Sequence, residues 1–169
     1  MTRGRAALVA WTLVPALVIG WGCYSFSGGS VPAHLKTIAI PLFDDQSGFG
    51  EPGLREQFTT ELTNLFIKDN SLEVTNRTNA DAILEGTLLP ITDAPAVVQQ
   101  GEQVSRRRIT MSVRCTFQDM KLRKKVWEKT FTNWGEYDSG GGLSRRSEGL
   151  AEAVKKLTED ILQETVSGW

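Results

Sequence analysis

The sequence predicts an α+β fold, with two helices packed on one face of a mostly antiparallel sheet of four to five strands. Three observations predict it. Residues 54–66 and 150–161 carry apolar side chains at helical spacing. Residues 106–117 alternate polar and apolar without a break, the pattern of a half-buried antiparallel strand. The elements run strand, helix, three or four strands, helix, an order that gathers helices on one side of a sheet. Each buried stripe residue contributes about 1.5–3 kcal/mol, so both helices need a sheet face to cover.

A leader precedes these elements. Arg3 and Arg5 give it a positive start, residues 6–19 are almost wholly apolar, and Gly20-Trp21-Gly22 close the run before Cys23. That is a secretory signal layout. The run is short for a span, which takes roughly 20 apolar residues. Bacterial lipoprotein signals end in a small residue before the cysteine that is acylated, and Gly22-Cys23 fits, although Gly20 and bulky Trp21 stand where such signals usually carry Leu and a small residue. Cys23 is the expected lipid attachment residue, and the several chains of a lipoprotein cysteine would suffice for stable anchoring. The expected organisation is a lipoprotein signal peptide over residues 1–22, a lipidated N-terminus and tether over 23–34, and one domain over 35–169.

Along the domain, Ile38, Ile40 and Leu42 fall on one side of a strand over residues 37–43, with Pro41 placing it at an edge or an end. Residues 44–51 read as a polar loop. Pro52 suits the first turn of a helix, whose face is Leu54, Phe58, Leu62, Leu65 and Phe66 and whose stop is Asn70. Residues 72–74 and 82–89 read as strands, and a hairpin loop opens at Asp93-Ala94-Pro95 and ends near Gln103. Ile109, Met111, Val113, Cys115 and Phe117 then point one way; Arg106, Arg108, Thr110, Ser112, Arg114 and Thr116 point the other. A turn at residues 118–121 leads to a strand over 122–134 whose buried face the pattern leaves open. Residues 135–142 read as a glycine-rich connection to a last helix striped by Leu150, Val154, Leu157 and Ile161.

The 169 residues carry a formal charge of -1, and removing Arg3 and Arg5 makes it more negative. No global basic field points to nucleic acid. Cys115 is the only other cysteine, so no disulfide framework is available if Cys23 is acylated, and its apolar flanks predict a buried inert thiol. No metal-ligand spacing, nucleophile elbow or phosphate loop is present. The single histidine, His34, falls in the tether. The reading is therefore a protein that is not an enzyme and needs no metal or cofactor.

Cys23-Tyr24-Ser25-Phe26-Ser27-Gly28, the strand Lys36-Thr37-Ile38-Ala39-Ile40-Pro41-Leu42-Phe43, the strand entry Ala80-Asp81-Ala82-Ile83-Leu84-Glu85-Gly86 and the late Val126-Trp127-Glu128 together resemble the LptE family of lipopolysaccharide-assembly lipoproteins. The resemblance implies an outer-membrane lipoprotein, held on the periplasmic face by its lipid. As the family does, it would plug an LptD-type β-barrel, assist the barrel's assembly, and contact lipopolysaccharide on its way to the outer leaflet. Tyr24 in place of Asp after the cysteine agrees with outer-membrane sorting.

Positive charge gathers at Arg106-Arg107-Arg108, at Lys121 with Arg123-Lys124-Lys125, and at Arg145-Arg146. An up-down-up meander of residues 82–92, 104–117 and 122–134 would bring the first and third clusters to one tip of the sheet and leave the lysines at the other. Guanidinium groups bind phosphate through paired, charge-assisted hydrogen bonds. Arg106, Arg107, Arg108, Arg145 and Arg146 are therefore the candidate contacts to lipid A phosphates, set against the plain alternative that they only keep a sheet edge soluble. The turn over residues 121–125 reads as solvated surface, with a membrane-surface or partner role as the alternative. A competing function is a periplasmic adaptor lipoprotein of the TolB amino-terminal or CsgG-like type, in a secretion or cell-wall-synthase complex. It would require parallel strands with helices on both faces.

Overall fold

The computed structural model describes residues 31–96 and 106–168. In chain order the elements are β1 (Thr37–Ala39), β2 (Asp44–Asp45), α1 (Leu54–Asp69), β3 (Glu73–Val74), β4 (Ala82–Leu88), β5 (Thr92–Pro95), β6 (Arg106–Asp119), β7 (Lys124–Asp138) and α2 (Gly142–Ser167), the last entered through a single 3₁₀ turn at Ser139–Gly141. The sheet is mixed. β1 runs parallel to β3 and β4, and β2 runs parallel to β4. The rest is antiparallel: β4 and β5 both pair with one edge of β6, and β7 pairs with the other. The parallel part follows from chain order, because a helix between two neighbouring strands returns the chain in the same direction. Among the described residues, seven strand segments replace the expected four to five, the surplus being short pieces that continue β1 and β4.

Both helices cover the same face. Leu54, Phe58, Leu62 and Phe66 of α1 and Leu150, Val154, Leu157 and Ile161 of α2 join one core with Ile38, Leu84, Leu88, Ile109, Met111, Val113, Cys115 and Phe117. The adaptor reading needed helices on both faces, and this arrangement lacks them. Asn70 ends α1 in the left-handed region at φ 58°, its N–H donating to the Phe66 carbonyl, as expected of a stop.

Four local expectations change. The first strand stops at Ala39; Ile40 is half-buried, Leu42 points to solvent, and Phe43 enters the core instead. Its N–H donates to Thr59 Oγ1 at 3.1 Å, and Gly86 makes room for its ring, since a Cβ there would lie 2.1 Å from Cε1 of Phe43. Pro52 falls outside α1, because Gly53 turns the chain at φ 74° immediately before Leu54. Asp93 and its neighbours form β5 rather than a loop. Residues 135–138 belong to β7, which leaves only one turn before α2.

The buried face of β7 is the one carrying Phe131, Gly135 and Tyr137, which register opposite Val113, Ile109 and Arg107. Gly135 lets α2 lie directly on the strand: a Cβ on it would meet the Gly149 carbonyl oxygen at 1.9 Å. Trp127 packs between Phe117 and Phe131, with ring centroids 5.7 and 5.9 Å apart. Cys115 is fully buried, and burial pushes its thiol up to about 12. The thiolate needed for reaction is thereby suppressed, in line with the inert thiol expected.

Candidate functional site

The two arginine clusters do meet at one end of the sheet, and a bulge creates their meeting point. Leu88 pairs with Val113, yet Thr92 pairs with Thr110, so one extra residue sits in the β4–β5 path around Pro90. Proline belongs there because it has no N–H for the ladder. The slip reverses the faces of the strand beyond it, placing Asp93 opposite Ile109 on the helix-bearing side. There Asp93 accepts from Arg107 Nε at 2.8 Å, from the Tyr137 hydroxyl at 2.7 Å, and from Arg146 Nε at 3.4 Å. Burial pulls this carboxyl upward, but the hydrogen bonds from Tyr137 and Arg107 outweigh it and leave Asp93 below the ordinary carboxylate range.

Arg146 also reaches Glu51 at 3.2 Å and stacks 4.1 Å above the Phe49 ring. Its side chain is only 27 % exposed. Arg106 and Arg108 lie on the open face of the sheet and share Glu136, at 3.6 and 2.6 Å. Arg108 also stands 5.0 Å over the exposed Trp134 ring. The hydrogen bond from Arg108 holds Glu136 below its usual range. Arg145 pairs with Glu148 one turn along α2. Asp93, Glu136, Glu51 and Glu148 thus stand against the five guanidiniums. Arg107 and Arg146 are committed to the frame, while Arg106 (65 % exposed), Arg108 and Arg145 keep donors toward solvent.

Sequence patterns found the arginines and missed their partners. Pro90 inside a strand was the available signal for Asp93; Glu51, Phe49 and Tyr137 have no local signature. The open sheet face beside this end is polar, with Ser112 and Thr132 bonded across strands at 2.8 Å and Thr110, Arg114 and Thr116 beside them. At the outer edge of β7, the Trp134 N–H is held by Asn133 Oδ1, the Trp134 carbonyl by Lys156, and the Glu136 N–H by Glu152.

The opposite end receives the incoming chain. His34 Nε2 lies 2.5 Å from Asp119 Oδ2, the Lys121 ammonium donates to the His34 carbonyl at 2.7 Å, and Leu35 is buried. His34 is therefore bound to the domain rather than lost in a tether. Burial raises Asp119, but hydrogen bonds from His34 and the Leu122 N–H bring it below its normal value. Cys23, the expected lipid site, lies outside the described residues.

Among the described residues no cluster of three or more His, Cys, Asp or Glu side chains could hold a metal, and no helix is long and apolar enough to cross a membrane.

A family model described as LptE, lipopolysaccharide-assembly, matches residues 35–165. No curated protein matches the chain. Similar solved structures include a protein of Xanthomonas campestris, at TM-score 0.60 and 12 % identity over 80 % of this chain and 88 % of that one. A PelC dodecamer subunit from Paraburkholderia phytofirmans matches at 0.57 and 16 % over 83 % and 95 %. A minor lipoprotein from Acinetobacter baumannii matches at 0.51 and 14 % over 79 % and 92 %. At these identities they share the fold.

Proposed function

Because the chain belongs to the LptE family of lipopolysaccharide-assembly lipoproteins, we propose that it plugs and helps assemble an LptD-type outer-membrane β-barrel and takes part in delivering lipopolysaccharide to the outer leaflet. In this reading Cys23 carries the lipid, on the periplasmic face of the outer membrane. The observation that carries the plug reading is the opposition of the two ends. The incoming chain is fixed at the end marked by His34 and Asp119, and the arginines lie at the far end of β6. At 3.2–3.4 Å per residue, the 14 residues of β6 span roughly 45 Å. A bilayer with its headgroups is about 40–45 Å thick. A plug standing on the inner leaflet would therefore raise its arginines to the level of the outer one.

The surfaces agree with a watery pore. Barrel interiors are polar, and the open sheet face offers Thr, Ser and Arg side chains, with the exposed Trp134 ring beneath Arg108. Of the five candidate arginines, Arg106, Arg108 and Arg145 supply the phosphate contacts, while Arg107 and Arg146 hold the end together through Asp93.

The test is affinity capture of the tagged protein from detergent-solubilised envelopes. Recovery of a large outer-membrane barrel is expected. A soluble synthase or secretion ring without any barrel overturns the reading. For the phosphate contacts, replacing Arg106, Arg108 and Arg145 with Ala is expected to weaken lipopolysaccharide binding with barrel capture intact; unchanged binding removes that role.

A further inference from the structure

In the turn between β6 and β7, basic and apolar side chains are exposed together at the tether end. Leu122 is 65 % and Met120 41 % exposed at its apex. Their exposure is built in. Asp119 accepts the Leu122 N–H at 2.8 Å, and Arg123 sits in the left-handed region at φ 52°, so the turn is fixed with its apolar side chains outward. Around them stand Lys121, Arg123, Lys124 and Lys125. Lys121 is paired with Asp81 and Lys125 with Glu128, whereas Arg123 and Lys124 have no ion pair among the described residues. The same turn grips the incoming chain through His34.

An apolar apex flanked by two cations without an ion pair among the described residues, Arg123 and Lys124, matches one chemistry, an anionic phospholipid surface, where apolar groups enter the acyl boundary and cations meet phosphates. Distance supports it. Residues 23–34 can extend at most roughly 40 Å, so a lipid on Cys23 would keep the turn near the leaflet and raise its effective concentration there. We propose that this turn is a docking tip that seats on anionic phospholipid headgroups, Leu122 and Met120 inserting and Arg123 and Lys124 lying among the phosphates. The proposal rests on the anchor reading and adds a second, reversible contact to it.

The experiment places an environment-sensitive fluorophore on Leu122→Cys in the full lipidated chain, with the same label on Leu143→Cys at the arginine end as control; Leu143 is 81 % exposed. Buried Cys115 is shielded from label. On phosphatidylethanolamine–phosphatidylglycerol vesicles the Leu122 label is expected to brighten several-fold and shift to the blue, and the Leu143 label to stay water-like. Adding Arg123→Glu and Lys124→Glu is expected to abolish the response, as is high salt. A water-like Leu122 label on these vesicles overturns the proposal, and so does a stronger response to lipopolysaccharide micelles. If mass spectrometry finds Cys23 unmodified, the anchor reading fails by itself. The label is then read in a Cys23→Ser background with excess vesicles, where brightening sustains the tip and its absence overturns it.

Discussion

The two ends of β6 are both rich in basic side chains, and they differ in what surrounds them. At the arginine end the guanidiniums of Arg107, Arg108 and Arg146 lie in a lattice of carboxylates drawn from β5, β7 and the loop before α1. At the lysine end Arg123 and Lys124 form no ion pair among the described residues, and apolar side chains stand beside them. Charge at the first end ties elements together. Charge at the second is neutralised only in part, at Lys121 and Lys125. Counting basic residues along a sequence cannot separate these cases, because the neutralising partner lies in another element.

Four changes would break or sharpen this contrast. The largest effect is expected at Gly135, which brings α2 and its arginines onto β7. Gly135→Val would drive a side chain into the Gly149 carbonyl, which is backbone and cannot yield cheaply. A loss of about 3 kcal/mol in urea unfolding is expected, at the upper end for overpacking. Next is Asp93→Ala, which removes the carboxylate shared by Arg107, Arg146 and Tyr137 and should cost about 2 kcal/mol by the same measurement.

That second effect carries a pH signature. The Asp93 carboxyl is held below its unfolded value near 3.9, so the unfolded chain takes up protons first as pH falls. Its stabilisation is full above about pH 4 and is lost as pH drops through the folded value. The urea midpoints of wild type and Asp93→Asn should therefore converge below pH 4. A gap that persists there would mean that the lost stability does not come from the Asp93 charge.

At the lysine end, His34→Ala removes one half-exposed contact to Asp119 and should cost under about 1 kcal/mol. Protease accessibility of residues 31–36 should rise more than the urea midpoint falls. The smallest effect belongs to Arg145→Ala, an exposed pair within α2 whose loss should leave the urea midpoint unchanged. A marked shift there would place Arg145 in the lattice with Arg107 and Arg146.

Periodicity carried most of the fold. The stripes of α1 and α2 and the alternation of β6 each report a buried face directly, and those residues form the core as expected, except Leu65, which is only half-buried and outside it. The convergence of the arginines was also legible, since a meander fixes which ends meet. What stayed hidden depends on single-residue events. The bulge at Pro90 turns Asp93 inward, and Gly135 decides which face of β7 lies under α2 although its flanking aromatics point both ways. The parallel pairing of β1 with β4 was hidden for another reason: a three-residue strand has too few positions to show a face.

The clasped outer margin of β7 bears on how the molecule lives in company. A second molecule seeking to extend the sheet at Trp134 and Glu136 would first have to displace Asn133, Lys156 and Glu152 from the backbone groups they hold. Unprotected margins template stacking between copies. With that stretch closed, pairing of two copies sheet to sheet through it is disfavoured.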